Sequence, residues 1–244
     1  VNNCTISGNS AGNGGGTYRG TVSNCTISGN RAGHSGGGTC FGTVNSCLIV
    51  SNTADSGSGT YDGTVNNCAI SGNSAEYGGG TYWGTVNNCL IVSNTANTSG
   101  GGTYNSTLNN CTISGNSAEG GGGTYQGAVR NSIVWGNTAA VSNNYYAGAF
   151  EYSCSTPAPG GAGNIGADPQ FIGAGNYELS VSSPCINAGT NAYAPLPYDL
   201  AGNLRIIEDI VDMGCYEYVP EPAGVMTVVL CAVWYLRTGV RRNV

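Results

Sequence analysis

The chain has 244 residues, of which 42 are glycine and 8% are charged, and its net charge at pH 7 is −6. It contains no lysine, so the clustered basic surface of a nucleic-acid-binding protein is excluded. Glycine-rich chains of low charge are often disordered, but recurring aliphatic and tyrosine positions supply a continuous core that disordered chains lack. The tyrosine column comprises Tyr18, Tyr61, Tyr82, Tyr104 and Tyr125, with Cys40 in its place in the second repeat.

Residues 1–150 restate one motif seven times, at a spacing of 21 or 22 residues. The motif is Val-Asn-Asn-Cys-Thr-Ile-Ser-Gly-Asn-Ser-Ala, followed by glycines and Thr-Tyr-X-Gly-Thr. A fixed period of this length is typical of a solenoid, whose units bury their apolar faces against one another. The glycines disfavour a helix in each unit, and Cys4-Thr5-Ile6-Ser7 alternates as a short strand does. The sequence predicts an all-β fold, a right-handed parallel β-helix. Leucine-rich repeats, left-handed hexapeptide coils and calcium-binding nonapeptide arrays fit less well.

Stacked coils give each repeated position a predicted place. Two aliphatic columns should fill the core: Val1, Val22, Val44, Val65, Val86, Leu108 and Val129, and Ile6, Ile27, Ile49, Ile70, Ile91, Ile113 and Val134. The asparagine column should turn the chain in left-handed backbone geometry and bond the amide one coil away. Its members are Asn9, Asn30, Asn52, Asn73, Asn94, Asn116 and Asn137.

The chain has eleven cysteines, six of which form a cysteine column in the repeats. These are Cys4, Cys25, Cys47, Cys68, Cys89 and Cys111. Parallel Cβ vectors on stacked strands stay beyond the usual disulfide distance, so reduced thiols packed as small apolar groups are predicted. Cys154 and Cys185, outside the cysteine column, are the better disulfide candidates.

Residues 151–218 form a different module, because all eight prolines lie at or after Pro157. Its segments 167–171, 177–180, 183–189, 199–206 and 211–218 resemble, in order and spacing, the choice-of-anchor Q domain of bacterial surface proteins. Cys215 stands where that family more often has alanine. The resemblance implies a domain that follows β-helix repeats and precedes a sorting tail. The short strands and turns predict final irregular coils and a cap, with structural roles for Asp199, Arg205 and Asp212.

Residues 219–244 contain Pro220-Glu221-Pro222, an apolar run over 223–236, and then arginines that include Arg241 and Arg242. This pattern resembles the PEP-CTERM sorting signal of Gram-negative bacteria that carry an exosortase. The resemblance implies export to the cell surface or extracellular matrix, with a transient inner-membrane anchor that a sorting enzyme recognises. The run approaches the length of a membrane-spanning helix, and a buried C-terminal helix is the alternative.

The repeats also resemble, loosely, the pectate-lyase-like superfamily and the repeats of chlamydial polymorphic outer-membrane proteins. Fold similarity does not transfer activity, and neither the clustered aspartates with a basic residue nor the paired carboxylates of such enzymes appear. Asp55, Glu76 and Glu119 share one column, which could hold calcium or form a solvated face. No other cofactor is predicted. His34 is expected in an exposed loop.

The variable column follows each Thr-Tyr pair and reads Arg19, Phe41, Asp62, Trp83, Asn105 and Gln126. Its variation in a constant repeat predicts exposure to solvent. Phe41 and Trp83, two coils or about 9.6 Å apart with Asp62 between them, could contact alternate sugar rings of a glycan, and chance exposure is the alternative.

We therefore expect an exported, surface-anchored or matrix β-helix protein without catalysis, acting in adhesion, glycan binding or envelope structure. Because Val1 stands at a repeat boundary without an initiator methionine or signal peptide, the chain is expected to be a fragment. The alternative function is an exported polysaccharide lyase or glycoside hydrolase whose catalytic coils precede Val1.

Overall fold

Residues 1–155 wind into a parallel β-helix of about seven coils, in which strands of each coil pair with the same strands of the next. The computed structural model describes residues 1–220. The predicted C-terminal hydrophobic helix and the predicted sorting residues Glu221, Pro222, Arg241 and Arg242 lie outside the described residues. Within residues 1–220, no helix is long and apolar enough to cross a membrane.

Three parallel sheets form the walls, each named here after a residue type that recurs in its strands: isoleucine, alanine or tyrosine. The isoleucine sheet has eight strands: Thr5–Ser7, Thr26–Ser28, Leu48–Val50, Ala69–Ser71, Leu90–Val92, Thr112–Ser114, Ile133–Trp135 and Cys154–Ser155. The alanine sheet has seven: Ser10–Asn13, Arg31–Ser35, Thr53–Ser56, Ser74–Tyr77, Thr95–Ser99, Ser117–Gly120 and Thr138–Val141.

The tyrosine sheet has eleven strands, because most coils contribute two short ones. They are Thr17–Ser23, Thr39–Asn45, Thr60–Asn66, Thr81–Tyr82, Thr85–Asn87, Thr103–Tyr104, Thr107–Asn109, Thr124–Tyr125, Ala128–Arg130, Tyr145–Tyr146 and Ala149–Glu151. Outside the coils, Phe171–Gly173 and Asn176–Leu179 form an antiparallel hairpin, and Asn191–Tyr193 is a 3₁₀-helix.

The two predicted aliphatic columns fill the core. From the second coil onward, both columns are buried, and Ile27 through Ile113 have no exposed surface. Val1 is 65% exposed at the first coil. Because each buried aliphatic side chain contributes roughly 1.5–3 kcal/mol, these columns are the main source of stability.

The asparagine column forms a buried amide ladder at the corner between the isoleucine and alanine sheets. Asn73 Nδ2, for example, donates to Asn94 Oδ1 at 2.9 Å and to the Ile49 carbonyl at 3.1 Å. The predicted bond to the amide one coil away is therefore confirmed. The predicted left-handed geometry is wrong, because positive φ falls on the preceding glycine or serine, such as Gly72 or Ser93. That residue makes the corner, and the asparagine side chain can then point inward to its neighbours.

The cysteine column is buried beside the aliphatic columns from Cys25 onward. The backbone N–H of Cys47 donates to Cys68 Sγ at 3.3 Å, and the Cys68 thiol donates to the Asn66 carbonyl at 3.1 Å. All cysteines within residues 1–220 carry free thiols in the structure, including the disulfide candidates Cys154 and Cys185. That the cysteine column stays reduced under oxidising conditions is still a prediction. Burial raises the pKa of the Cys111 thiol to about 12, so the reactive thiolate is scarce at neutral pH.

The irregular cap predicted from the sequence begins where the last strand of the isoleucine sheet ends. Cys154 pairs with Ile133 in that sheet and forms a parallel bridge with Ile165. The Asn164 amide oxygen accepts a hydrogen bond from Ser153 N at 2.9 Å. The chain thus closes over the C-terminal end of the coils.

Residues 167–218, called the C-terminal segment, then fold back along the outer flank of the isoleucine sheet. A second apolar cluster comprises Ile133, Cys154, Leu179, Cys185 and Met213. Asn131 Nδ2 donates to the Thr190 carbonyl at 2.8 Å, and Cys215 N donates to Thr112 Oγ1 at 3.2 Å. The C-terminal segment therefore contacts the side of the coils as well as their end.

A buried polar network holds the C-terminal segment together. Arg205 Nε lies 3.2 Å from Glu217 Oε1, and both side chains are 1% exposed. Arg205 also donates to the carbonyl of Asp212 at 3.0 Å, and Asp212 accepts a hydrogen bond from Asn187 N at 2.7 Å. Asp199 accepts a hydrogen bond from Glu217 N at 2.9 Å. These contacts are internal to the fold, which agrees with the structural roles predicted for Asp199, Arg205 and Asp212.

Candidate functional site

Phe41, Asp62 and Trp83 lie on the outer face of the tyrosine sheet, in left-handed backbone with φ of 58°, 47° and 59°. Phe41 is 43% and Trp83 44% exposed, so these two aromatic residues face solvent as predicted. Asp62 is half-buried, and its Oδ1 accepts a hydrogen bond from Gly63 N at 2.7 Å.

The tyrosine column also lies on this outer face, so its predicted place in the core is wrong. In most coils the threonine before the tyrosine is buried instead, as Thr60 and Thr81 are, and Tyr18 is 51% exposed. Simple alternation puts Tyr18 on the same side as Val22, four positions later. The positive φ of Arg19 interrupts that alternation and sends the tyrosine outward.

The tyrosine rings stack one above another along the β-helix. The column continues to Tyr146, and neighbouring ring centroids from Tyr61 onward are 4.7–5.2 Å apart with interplanar angles of 2–9°. Burial raises the pKa of Tyr82, and Tyr104 and Tyr61 add to that rise. The phenol of Tyr82 is therefore a protonated hydrogen-bond donor at neutral pH.

Phe41 and Trp83 join this stack into one continuous surface. Cys40, 1% exposed, leaves a gap in the tyrosine column, and the Phe41 ring fills it edge-on at 5.9 Å from Tyr18 and 5.6 Å from Tyr61. The Trp83 ring lies tilted over Tyr61 at 6.2 Å and over Tyr82 at 5.3 Å. We call the set the aromatic strip: Tyr18, Phe41, Tyr61, Tyr82, Trp83, Tyr104, Tyr125 and Tyr146.

The borders of the aromatic strip are polar and carry little charge. Arg19 lies 5.4 Å from the Tyr18 ring centroid, and Asp62 is the acidic member of the variable column. A second asparagine row, missed in the sequence, runs along the same sheet, with Nδ2 to Oδ1 distances of 2.8–2.9 Å. It comprises Asn45, Asn66, Asn87 and Asn109. The face can offer aromatic surface, phenol hydroxyls and amides to a ligand rich in hydroxyl groups.

The acidic row lies on a different wall, the alanine sheet. Asp55 Oδ2 is 3.8 Å from Nδ1 of His34, which lies in a strand rather than in the predicted loop. Glu76 accepts hydrogen bonds from the Thr98 hydroxyl and from Asn97 Nδ2, and these lower its pKa. Glu119 is exposed on a later coil.

Calcium takes six to eight oxygen ligands, and within residues 1–220 no group of three or more His, Cys, Asp or Glu side chains is arranged to hold a metal ion. The acidic row supplies too few carboxylates for such a site unless backbone or water oxygens complete it. The calcium site therefore stays a prediction, and the chemistry that the described side chains offer is concentrated on the aromatic strip.

No protein-family model and no curated protein matches the chain. Among solved structures, the chain is similar to the crystal structure of pectate lyase Pel9A at 13% sequence identity. That similarity covers 88% of this chain and 72% of the lyase chain, with a TM-score of 0.47. The strand pairing of this chain by itself defines an all-β parallel β-solenoid.

Proposed function

We propose that this protein is an exported, non-catalytic rod that binds polysaccharide along the aromatic strip. The continuity of the aromatic strip carries the proposal, because it follows consecutive coils along one face of the β-helix. Adhesion, or the organisation of the cell envelope or matrix, is the process that such a binding rod serves.

The two kinds of ring in the aromatic strip would contact a sugar chain differently. Stacked tyrosines cover one another's faces and present edges and hydroxyl groups, which suit hydrogen bonds to sugar hydroxyls. Phe41 and Trp83 lie across the tyrosine column and keep more than two fifths of their surface exposed. These two rings provide the apolar surface on which the C–H groups of a sugar ring can pack.

The charges favour a neutral polymer over an acidic one. The chain has a net charge of −6, and the variable column contributes one cation, Arg19, and one anion, Asp62. A polyanion would meet overall repulsion without a cluster of cations to offset it. A neutral glycan that lies parallel to the rod axis fits the remaining polar groups, including Asn105 and Gln126.

We also propose that the C-terminal tail brings the protein to the cell surface. The support is the resemblance of residues 219–244 to a PEP-CTERM signal, with Pro220-Glu221-Pro222 as the recognised motif and Arg241 and Arg242 on the cytoplasmic side. An exosortase-type enzyme is the corresponding partner. The choice-of-anchor Q resemblance of residues 151–218 supports the same route.

Replacing Phe41 and Trp83 by alanine together should weaken binding to a neutral β-glucan by about tenfold or more, since losing about 60 Å² of apolar contact at about 25 cal/mol per Å² already removes about 1.5 kcal/mol. The full-chain protein is incubated with the β-glucan or with polygalacturonate, with and without calcium. Co-sedimentation measures binding, and size-exclusion chromatography follows polymer length in the same samples.

Tyr198→Ala is the matched control, because Tyr198 is an aromatic residue, 52% exposed, on the C-terminal segment. It should bind like the unaltered protein. Equal binding by the Phe41/Trp83 variant would refute the aromatic strip as the site. Shortening of either polymer would refute the non-catalytic proposal and favour the lyase or hydrolase alternative, with Asp55, Glu76 and Glu119 as the next residues to replace.

A further inference from the structure

Cys154 and Cys185 lie together in the second apolar cluster, although they belong to different parts of the fold. Cys154 is in the last strand of the isoleucine sheet, and Cys185 is in a turn of the C-terminal segment. Both are fully buried, and their side chains pack within the same cluster of five buried residues. The contact therefore joins the coils to the segment that folds back on them.

The backbone around each of these cysteines is fixed by separate hydrogen bonds. Cys154 N donates to the Ser132 carbonyl at 2.9 Å, within the β-helix. Cys185 N donates to Ser183 Oγ at 3.2 Å, and Met213 N donates to the Cys185 carbonyl at 3.0 Å. Each thiol is thus brought to the contact by its own element.

The cysteine column differs in this respect. Its members lie at equivalent positions of neighbouring parallel strands, as Cys47 and Cys68 do. Parallel Cβ vectors keep such sulfurs from the geometry that a disulfide needs. Cys154 and Cys185 approach each other from two elements that are not neighbours in a sheet, so this constraint does not apply to them.

We propose that Cys154 and Cys185 form a disulfide bond that locks the C-terminal segment onto the last coil. The oxidant is a disulfide donor, such as oxidised glutathione. One cysteine sulfur attacks the donor and releases one glutathione thiol, and the second cysteine sulfur displaces the other. One S–S bond forms and one breaks, and the two protons of the cysteine thiols are taken up by the two glutathione thiolates.

The bond would act mainly on the opened form of the C-terminal segment. A cross-link between these two positions restricts the freedom of the released chain, which favours its return to the flank. It would also keep the apolar face around Ile133, Leu179 and Met213 covered when the surrounding contacts loosen.

The test refolds full-chain protein from denaturant in reduced and oxidised glutathione, unfolds it again and alkylates the free thiols. Intact mass should show two fewer alkylated cysteines than in fully reduced protein, and peptide mapping should find Cys154 joined to Cys185. Cys154→Ser and Cys185→Ser should each abolish this linked peptide. Cys4→Ser, which alters an exposed cysteine, should leave it intact.

Stability provides a second readout. Dithiothreitol should lower the unfolding temperature of the oxidised unaltered protein and leave that of the variant with both Cys154→Ser and Cys185→Ser unchanged. Full alkylation after oxidative refolding, or a link from Cys185 to the cysteine column, would overturn the proposal. If the serine variants fail to fold, the peptide map of the unaltered protein decides by itself.

Discussion

Replacing Gly80 by alanine is expected to lower the free energy of unfolding by about 3 kcal/mol, near the upper end of the usual cost of overpacking. A Cβ atom at Gly80 would lie 2.5 Å from the Gly102 carbonyl oxygen and 3.0 Å from Ile91 Cγ2. Equivalent glycines on neighbouring coils make the same close approach, so the backbone above cannot retreat without disturbing the next coil. Urea unfolding followed by circular dichroism measures the effect.

Gly12→Ala is the matched control, because a Cβ atom there meets nothing within 4 Å. Gly12 lies in the exposed strand Ser10–Asn13 and does not have positive φ. Alanine at such a site leaves stability unchanged or raises it by about 0.4–1 kcal/mol. If both variants lost the same stability, close contact between coils would not be the reason why glycine occupies position 80.

Asn94→Ala is expected to cost about 4 kcal/mol, because two or more buried polar groups lose their partner at about 1–3 kcal/mol each. Asn94 Oδ1 accepts from Asn73 N at 3.0 Å, and Asn94 Nδ2 donates to the Ile70 carbonyl at 2.9 Å and to Asn116 Oδ1 at 3.0 Å. The loss breaks the asparagine column in the middle of the rod. Urea and thermal unfolding of the purified variant give the change in stability.

Asn97→Ala tests whether the effect belongs to the asparagine column or to asparagine in general. Asn97 is three positions further along the same coil and exposed, and its Nδ2 donates to Glu76 Oε2 at 3.2 Å. A surface change of this kind is usually within about 0.5 kcal/mol of neutral. A large loss at Asn97, or a small one at Asn94, would contradict the explanation.

The parts of the fold that depend on stacking alone could be predicted from the sequence. The positions of Ile70 and Val86 recur in every coil, and each lies in a segment where apolar and polar residues alternate. This pattern is enough to place both side chains in the core. Every coil has an asparagine at the position of Asn73. Because a buried amide needs a hydrogen-bond partner, a ladder of amides along the coils is expected. Both inferences depend only on which residues lie at equivalent positions of neighbouring coils, and the repeat spacing gives those positions.

The outward position of the tyrosines could not be predicted, because one residue of the variable column resets the alternation in each coil. Phe41 and Trp83 adopt left-handed backbone, a conformation that large side chains rarely choose and that their identity does not signal. One sequence signal of this conformation is the glycine that follows Trp83, because Gly84 also has positive φ. It marks a kink in the strand rather than a simple turn.

The docking of the C-terminal segment could not be predicted for another reason. The hydrogen bonds between Asn131 and Thr190 and between Thr112 and Cys215 join positions that are distant in the sequence and occur once. No periodicity reports such pairs. The Arg205–Glu217 ion pair is likewise specific to this module, and the order of residues alone does not reveal that both side chains are buried.

In the isoleucine and tyrosine sheets, strands of neighbouring coils pair without a shift in register. One coil therefore corresponds to one repeat of the gene as well as to one repeat of the structure. Recombination between similar stretches of the gene can add or remove one whole coil without breaking the strand pairing within these two sheets. Each added coil would extend the row of rings by one step of 4.7–5.2 Å. If the aromatic strip binds polysaccharide as proposed, repeat number would set the number of aromatic contacts, so binding strength would change with gene length and without any substitution.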